Sequence, residues 1–255
     1  MARENFTACL AHVFKFEGGY VDHPRDPGGA TNMGITHRTL AAHRRTSVSK
    51  QDVRDLTKAE AGEIYKQRYW FPVKGGDLPY GMDLVAFDGG VNSGPSRGAK
   101  WLQRALGVKA DGAVGAKTLA AALNAPDGVK VIQRACAARM GFLKALGTWS
   151  TFGRGWSRRV ASVEAEAVAM HTRDASVVAK QVKPAKRTAA QQDAAAAGSG
   201  GGGAATVTAT DMSPWITYGV LVAALFLAII LVSKAAHSKR RAKAYEEKAK
   251  EMNDG

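Results

Sequence analysis

Phe6, Leu10, Val13 and Phe14 recur at helical spacing, which predicts a helix over residues 5–16 with one apolar face. Gly18-Gly19 ends it. Residues 20–36 mix His-Pro, Asp-Pro and Gly-Gly pairs with alternating side chains and read as a small irregular β-ribbon. Thr36 is placed to cap a helix beginning near Arg38. Thr57, with Glu60 three residues on, forms a capping-box signal for a helix ending near Trp70. Residues 71–77 read as a loop. Pro79 opens a helix carrying Met82, Leu84, Val85 and Phe87, which closes near Asn92-Ser93-Gly94-Pro95. An amphipathic stretch over 97–106 stops at Gly107, and a turn over 109–112 follows. Helices are predicted over 115–123, over 128–146 with Asp127 as cap, and over 155–171.

After Asp174 the periodicity fades. Residues 180–205 are Ala, Gln, Lys and Gly, with too little apolar surface to build a core, and read as a flexible tether within residues 174–213. The uncharged run 215–232, WITYGVLVAALFLAIILV, is long enough to predict one membrane-spanning helix over 214–233. Residues 234–255 are charged and predicted helical. Lys234, Lys239, Arg240, Arg241 and Lys243 follow the span, whereas Asp211 precedes it with no Lys or Arg back to Arg187. The positive-inside rule then gives a single-pass inner-membrane protein with the C-terminus in the cytosol and residues 1–173 in the periplasm. The alternative holds those residues in the cytosol until the membrane fails. The N-terminus has no signal-peptide layout.

Composition narrows the partners. The chain has 36 Lys+Arg against 22 Asp+Glu, a net charge of +14, which favours a polyanion: nucleic acid, anionic lipid or an acidic wall polymer. It carries no aromatic RNA-binding signature and no paired Cys/His zinc ligands, so nothing beyond charge supports nucleic acid. Cys9 and Cys136 sit in apolar helical contexts and read as buried thiols.

The chemistry converges on residues 14–40. Glu17 leaves an apolar helix end into the Gly-rich ribbon, with Phe14, Phe16 and Tyr20 nearby. A carboxyl in apolar surroundings is the group a glycosidase uses to protonate a leaving oxygen. The plainer reading is a surface glutamate at a helix end. Asp26, beyond the ribbon turn, is a second carboxylate suited to holding a water, or only a partner in an Asp-Pro turn. Tyr69-Trp70 is either a stacking platform for a sugar or part of the core. Asn92 is either a helix C-cap or a donor to sugar and N-acetyl groups.

The pattern E-G-G-Y-x-x-x-P-x-D-P-G-G-x-T-x-x-G-I-T, carried by Glu17, Gly18, Gly19, Tyr20, Pro24, Asp26, Pro27, Gly28, Gly29, Thr31, Gly34, Ile35 and Thr36, resembles the N-terminal signature of glycoside hydrolase family 108. Those lysozyme-like muramidases, many from phages, cleave the β-1,4 bond between N-acetylmuramic acid and N-acetylglucosamine. The resemblance implies Glu17 as catalytic acid. Other phage lysozymes carry Glu-x8-Asp-x5-Thr; Glu17 and Asp26 keep the first spacing, but Asn32 stands where the Thr belongs. A second pattern, on Leu102, Gln103, Leu106, Gly107, Asp111, Gly112, Gly115, Thr118 and Leu119, resembles a peptidoglycan-binding domain often joined to this family.

The expected architecture is therefore mainly α. A lysozyme-like domain with a small β-ribbon (1–94) is followed by a helical peptidoglycan-binding-type domain (95–173), the linker, the span and the tail. The implied function is a membrane-anchored endolysin-type muramidase acting on peptidoglycan. Its catalytic residues would be Glu17 and Asp26, and its substrate contacts Tyr20, Thr31, Thr36, Asn92 and Trp70. No metal or organic cofactor is implied. The competing reading is a non-catalytic, membrane-tethered cell-wall anchor that keeps the fold.

Overall fold

The structure is a computed structural model describing residues 5–22, 29–200 and 214–255; for residues 198–200 and 214–230 it describes the backbone alone. The chain divides into two compact units, Met1–Leu146 and Gly147–Gly255.

In the first unit, α1 (Phe6–Phe14) leads to a two-stranded antiparallel hairpin, β1 (Thr31–Asn32) and β2 (Ile35–Thr36), with Thr31 opposite Thr36. Short helices α2 (His37–Arg44), α3 (Lys50–Arg54) and α4 (Lys58–Tyr65) follow. Thr36 caps α2 as the sequence predicts, accepting from the Thr39 N–H. Thr57 caps α4, but Glu60 turns to Arg44. Arg44 also holds Asp52, so one guanidinium ties α2 to α3 and α4 and keeps Glu60 below the usual carboxylate range. After α4 the chain makes a π-helical turn, Lys66–Trp70, where an uninterrupted α-helix was expected, and a short 3-10 turn, Gly75–Asp77, within the expected loop.

The core is organised on α5 (Met82–Ser93), whose residues Met82 to Gly90 are all buried. A helix with apolar and glycine residues all round can only be an interior helix. It packs on α6 (Pro95–Leu106) and α8 (Gly128–Lys144). The approach to α6 is close enough that a Cβ on Gly98 would lie 2.4 Å from the Ala86 carbonyl oxygen. Two carboxylates of α5 are fully buried. Asp88 is paired with Arg139 of α8 at 2.5 Å. Asp83 accepts from Asn5 at 2.8 Å and from the Leu84 N–H at 2.7 Å. Between α6 and α7 (Ala116–Leu123), buried Gln103 donates to Asp111, Ala113 and Thr118 and accepts from the Gly112 N–H, fixing the predicted turn. Asp127 caps α8 through the Lys130 N–H. Cys9 and Cys136 are both buried.

The second unit corrects the sequence reading. Its first helix, α9, spans Trp149–Thr172 and begins six residues before its predicted start. Much of the stretch read as a flexible tether is helical: α10 (Ala175–Lys180) and α11 (Val182–Gly200), while residues 201–213 lie outside the described residues. Alanine has the highest intrinsic helix propensity, and Ala185 and Ala189, four apart, bury one face of α11 against α12 (Pro214–Asp254). A composition too poor for a globular core is sufficient for a small-residue helical seam.

The expected single-pass inner-membrane location is overturned: among the described residues no helix is long and apolar enough to cross a membrane. The side chains of residues 214–230, which make up most of the expected span, lie outside the described residues. The basic tail is not set apart across a bilayer but packs on α9 and α11. Ala235, Ser238, Ala242, Tyr245 and Ala249 form its buried stripe at three- and four-residue spacing. The charges read as a topology signal serve as internal partners. Arg241 and Tyr245 converge on buried Glu164, with Tyr245 donating at 2.8 Å, Lys248 meets Glu166 at 3.0 Å and Lys239 meets Asp193 at 2.8 Å.

Candidate active site

The site begins where α1 runs out. Lys15 and Phe16 close its last turn with short-range bonds to the His12 and Val13 carbonyls, which tighten the helix end. Glu17 follows, half-buried, and Gly18 and Gly19 carry the chain away with open space where their Cβ atoms would be. These two glycines end the helix without admitting any close neighbour.

The hairpin comes back to the same place. Val21 and Thr31 exchange backbone bonds at 2.8 Å, and the Met33 N–H donates to the Gly18 carbonyl at 3.1 Å. Met33 (φ 47°) and Gly34 (φ 72°) make the two-residue turn. Positive φ at both central positions suits the right-handed twist of the strands and favours glycine at the second. Gly34 is also a point of contact. A Cβ there would lie 2.7 Å from Glu17 Oε2 and 2.5 Å from the Tyr65 hydroxyl oxygen, so the carboxyl and the phenol both press on the tip of the hairpin. Tyr65 donates to the Met33 carbonyl at 2.9 Å, and its ring meets Phe14 edge-on at 5.5 Å.

The other expected contacts separate. Tyr20, Thr31 and Thr36 belong to the same ribbon as Glu17. The Tyr20 ring lies 4.6 Å from the Arg54 guanidinium, which covers one face. The Thr31 hydroxyl donates to the Gly29 carbonyl at 3.4 Å, and that of Thr36 is engaged with Thr39. Asn92 sits half-buried in the last turn of α5 and accepts from the Ser93 hydroxyl at 3.1 Å. Trp70 is 3% exposed and packs edge-on against Phe6 and Phe87, so it is a core ring, not a platform for a sugar. Asp26 lies outside the described residues. Among the described residues no group of three or more His, Cys, Asp or Glu side chains gathers as metal ligands.

Residues 10–94 match the model of the Glycosyl hydrolase 108 family, and residues 97–161 match that of the Predicted Peptidoglycan domain. The solved structure titled "Structure of Brucella abortus SagA" is 50% identical, with a TM-score of 0.60 over 67% of this chain and 98% of that one. The chain belongs to the glycosyl hydrolase 108 family. No curated protein matches it. A glycosyl hydrolase domain followed by a peptidoglycan domain makes this family member a peptidoglycan hydrolase.

Within this glycosyl hydrolase, Asn32 fills the position where the Glu-x8-Asp-x5-Thr pattern places threonine. It is 8% exposed and donates to the Val53 and Arg54 carbonyls at 3.0 Å each, anchoring the hairpin on α3. Its amide is spent on the fold. Sequence reasoning missed Tyr65, because an aromatic at the end of an apolar helix looks like any core residue. Glycine at position 34 gave no separate signal, because the turn already favours it.

Proposed function

We propose that the chain is an N-acetylmuramidase of endolysin type, cleaving the β-1,4 bond between N-acetylmuramic acid and N-acetylglucosamine with Glu17 as general acid. The observation that carries this reading is the seat of Glu17: a half-buried carboxyl at a helix end, held against a glycine hairpin tip and beside a buried tyrosine. A wall-binding anchor has no use for a notch that admits a carboxyl.

In this reading Glu17 gives its proton to the glycosidic oxygen as the bond to the anomeric carbon breaks, and the departing sugar leaves as an alcohol. A water then adds to the oxocarbenium-like carbon and passes its proton to a carboxylate, the role proposed for Asp26. Asp26 is proposed to position that water. Tyr20, Thr31 and Asn92 are proposed contacts for the sugar chain, the first two along the ribbon and Asn92 at the end of α5.

The test is release of reducing ends from purified peptidoglycan by the full chain, wild type beside Glu17→Gln. Fragments ending in N-acetylmuramic acid from the wild type, and none from the variant, are expected. Wall binding without release by either protein would favour the anchor, and equal release by both would place the acid elsewhere.

A further inference from the structure

We infer that Tyr65 is the positioning residue for the catalytic acid, and that Gly34 is the notch that admits both side chains; this rests on the muramidase reading above. Tyr65 is 1% exposed, so its hydroxyl is not available to a wall polymer as a general surface contact. Its ring packs on Phe14, three residues before Glu17 on the same helix end. Its hydroxyl donates to the Met33 carbonyl, and the Met33 N–H donates to the carbonyl of Gly18, the residue after Glu17. Tyr65 thus grips the acid from both sides, through the ring before it and through the hairpin turn after it.

Gly34 shows how tight the grip is. A methyl group there would stand 2.5 Å from the Tyr65 oxygen, 2.7 Å from Glu17 Oε2 and 3.4 Å from Glu17 Cδ. Real side-chain carbons do not approach oxygens that closely, so the phenol and the carboxyl occupy the space that any other residue would fill.

The π-helical turn explains how Tyr65 is available for this. Residues five apart point about 140° away from each other on an α-helix. Bonding of the Phe71 N–H to the Lys66 carbonyl, an i to i+5 step, brings Tyr65 and Trp70 onto the same buried side. Trp70 then packs the core while Tyr65 reaches the hairpin.

A residue that orients the acid without touching substrate acts on turnover and not on binding. Initial rates of the full chain on purified peptidoglycan, fitted for kcat and apparent KM, test this with Tyr65→Phe and Gly34→Ala. Tyr65→Phe keeps the ring and loses only the hydroxyl; kcat is expected to fall about 10- to 100-fold with KM unchanged. Gly34→Ala leaves both groups in the chain but crowds the Tyr65 hydroxyl and the Glu17 carboxyl together and strains the turn, with a loss in kcat of roughly 100-fold or more. Wild-type kcat in Tyr65→Phe, or a loss confined to KM, overturns the inference. If Tyr65→Phe does not fold, Gly34→Ala decides: a folded variant with reduced kcat supports the notch, and one at the wild-type rate overturns it. A wild type that releases no reducing ends defeats the muramidase reading itself. The inference fails alone when wild type cleaves, Glu17→Gln does not, and Tyr65→Phe matches wild type.

Discussion

Asp83 makes the stability of the first unit depend on pH in a direction opposite to most carboxylates. Burial pushes its carboxyl up to about 6, against the bonds from Asn5 and the Leu84 N–H, which favour the charged form. The folded protein therefore holds the Asp83 proton more tightly than the unfolded chain does. The stabilisation is fully present below the unfolded value of 3.8 and is lost as pH rises through about 6. A shift of this size corresponds to about 3 kcal/mol at most, at 1.36 kcal/mol per pH unit. Asp83→Asn removes the titration while keeping the shape. Asn5 can turn its amide to accept from the new NH2 group, at the cost of its weak 3.5 Å contact with Cys9 Sγ. Urea unfolding of wild type and variant should be compared from pH 4 to pH 8. The free-energy difference is expected to move in favour of the variant by about 2.4 kcal/mol between pH 4 and pH 7, then flatten. The change with pH is the test, because the altered hydrogen bonds offset both ends equally. A difference that stays constant across the range would refute the claim that burial dominates at Asp83.

Arg139→Met leaves Asp88 buried without its cation and is expected to cost the first unit about 3–5 kcal/mol, read as a lower urea midpoint. Adding Asp88→Asn should recover much of the loss, since the penalty lies in the stranded charge. In the second unit, Arg241→Ala leaves buried Glu164 with the Tyr245 hydroxyl but without its cation. Amide hydrogen exchange over residues 232–254 should then accelerate, and unchanged protection there would show that the helical seam holds without the ion pair.

How much of this was legible depended on the range of each contact. The caps at Thr36, Thr57 and Asp127 are local, and the sequence shows them where the structure has them. The position of Glu17 at a helix end beside the hairpin was legible because a helix end, a Gly-Gly break and a turn-rich ribbon fall within one short window. Tyr65 was not, because its meaning comes from a bond to a carbonyl 32 residues away and from a π turn that hydrophobic spacing does not reveal. Trp70 was open between core and platform until the same turn placed it inward. The largest error had a physical source too. The Ala- and Lys-rich stretch fails every test for a core, but helices of small residues pair without one. The charges flanking the apolar run had counterparts in Glu164, Glu166 and Asp193, which lie too far away in sequence to suggest pairing.

The crowding at Gly34 has a consequence for reading related chains. A protein of this architecture that only grips the wall answers only to the turn at that position, where a positive φ also admits Asn or Asp. One that cuts must also keep the space empty. The presence or loss of glycine at the hairpin tip should therefore sort cutters from holders, even where the acidic residue itself has been kept by chance.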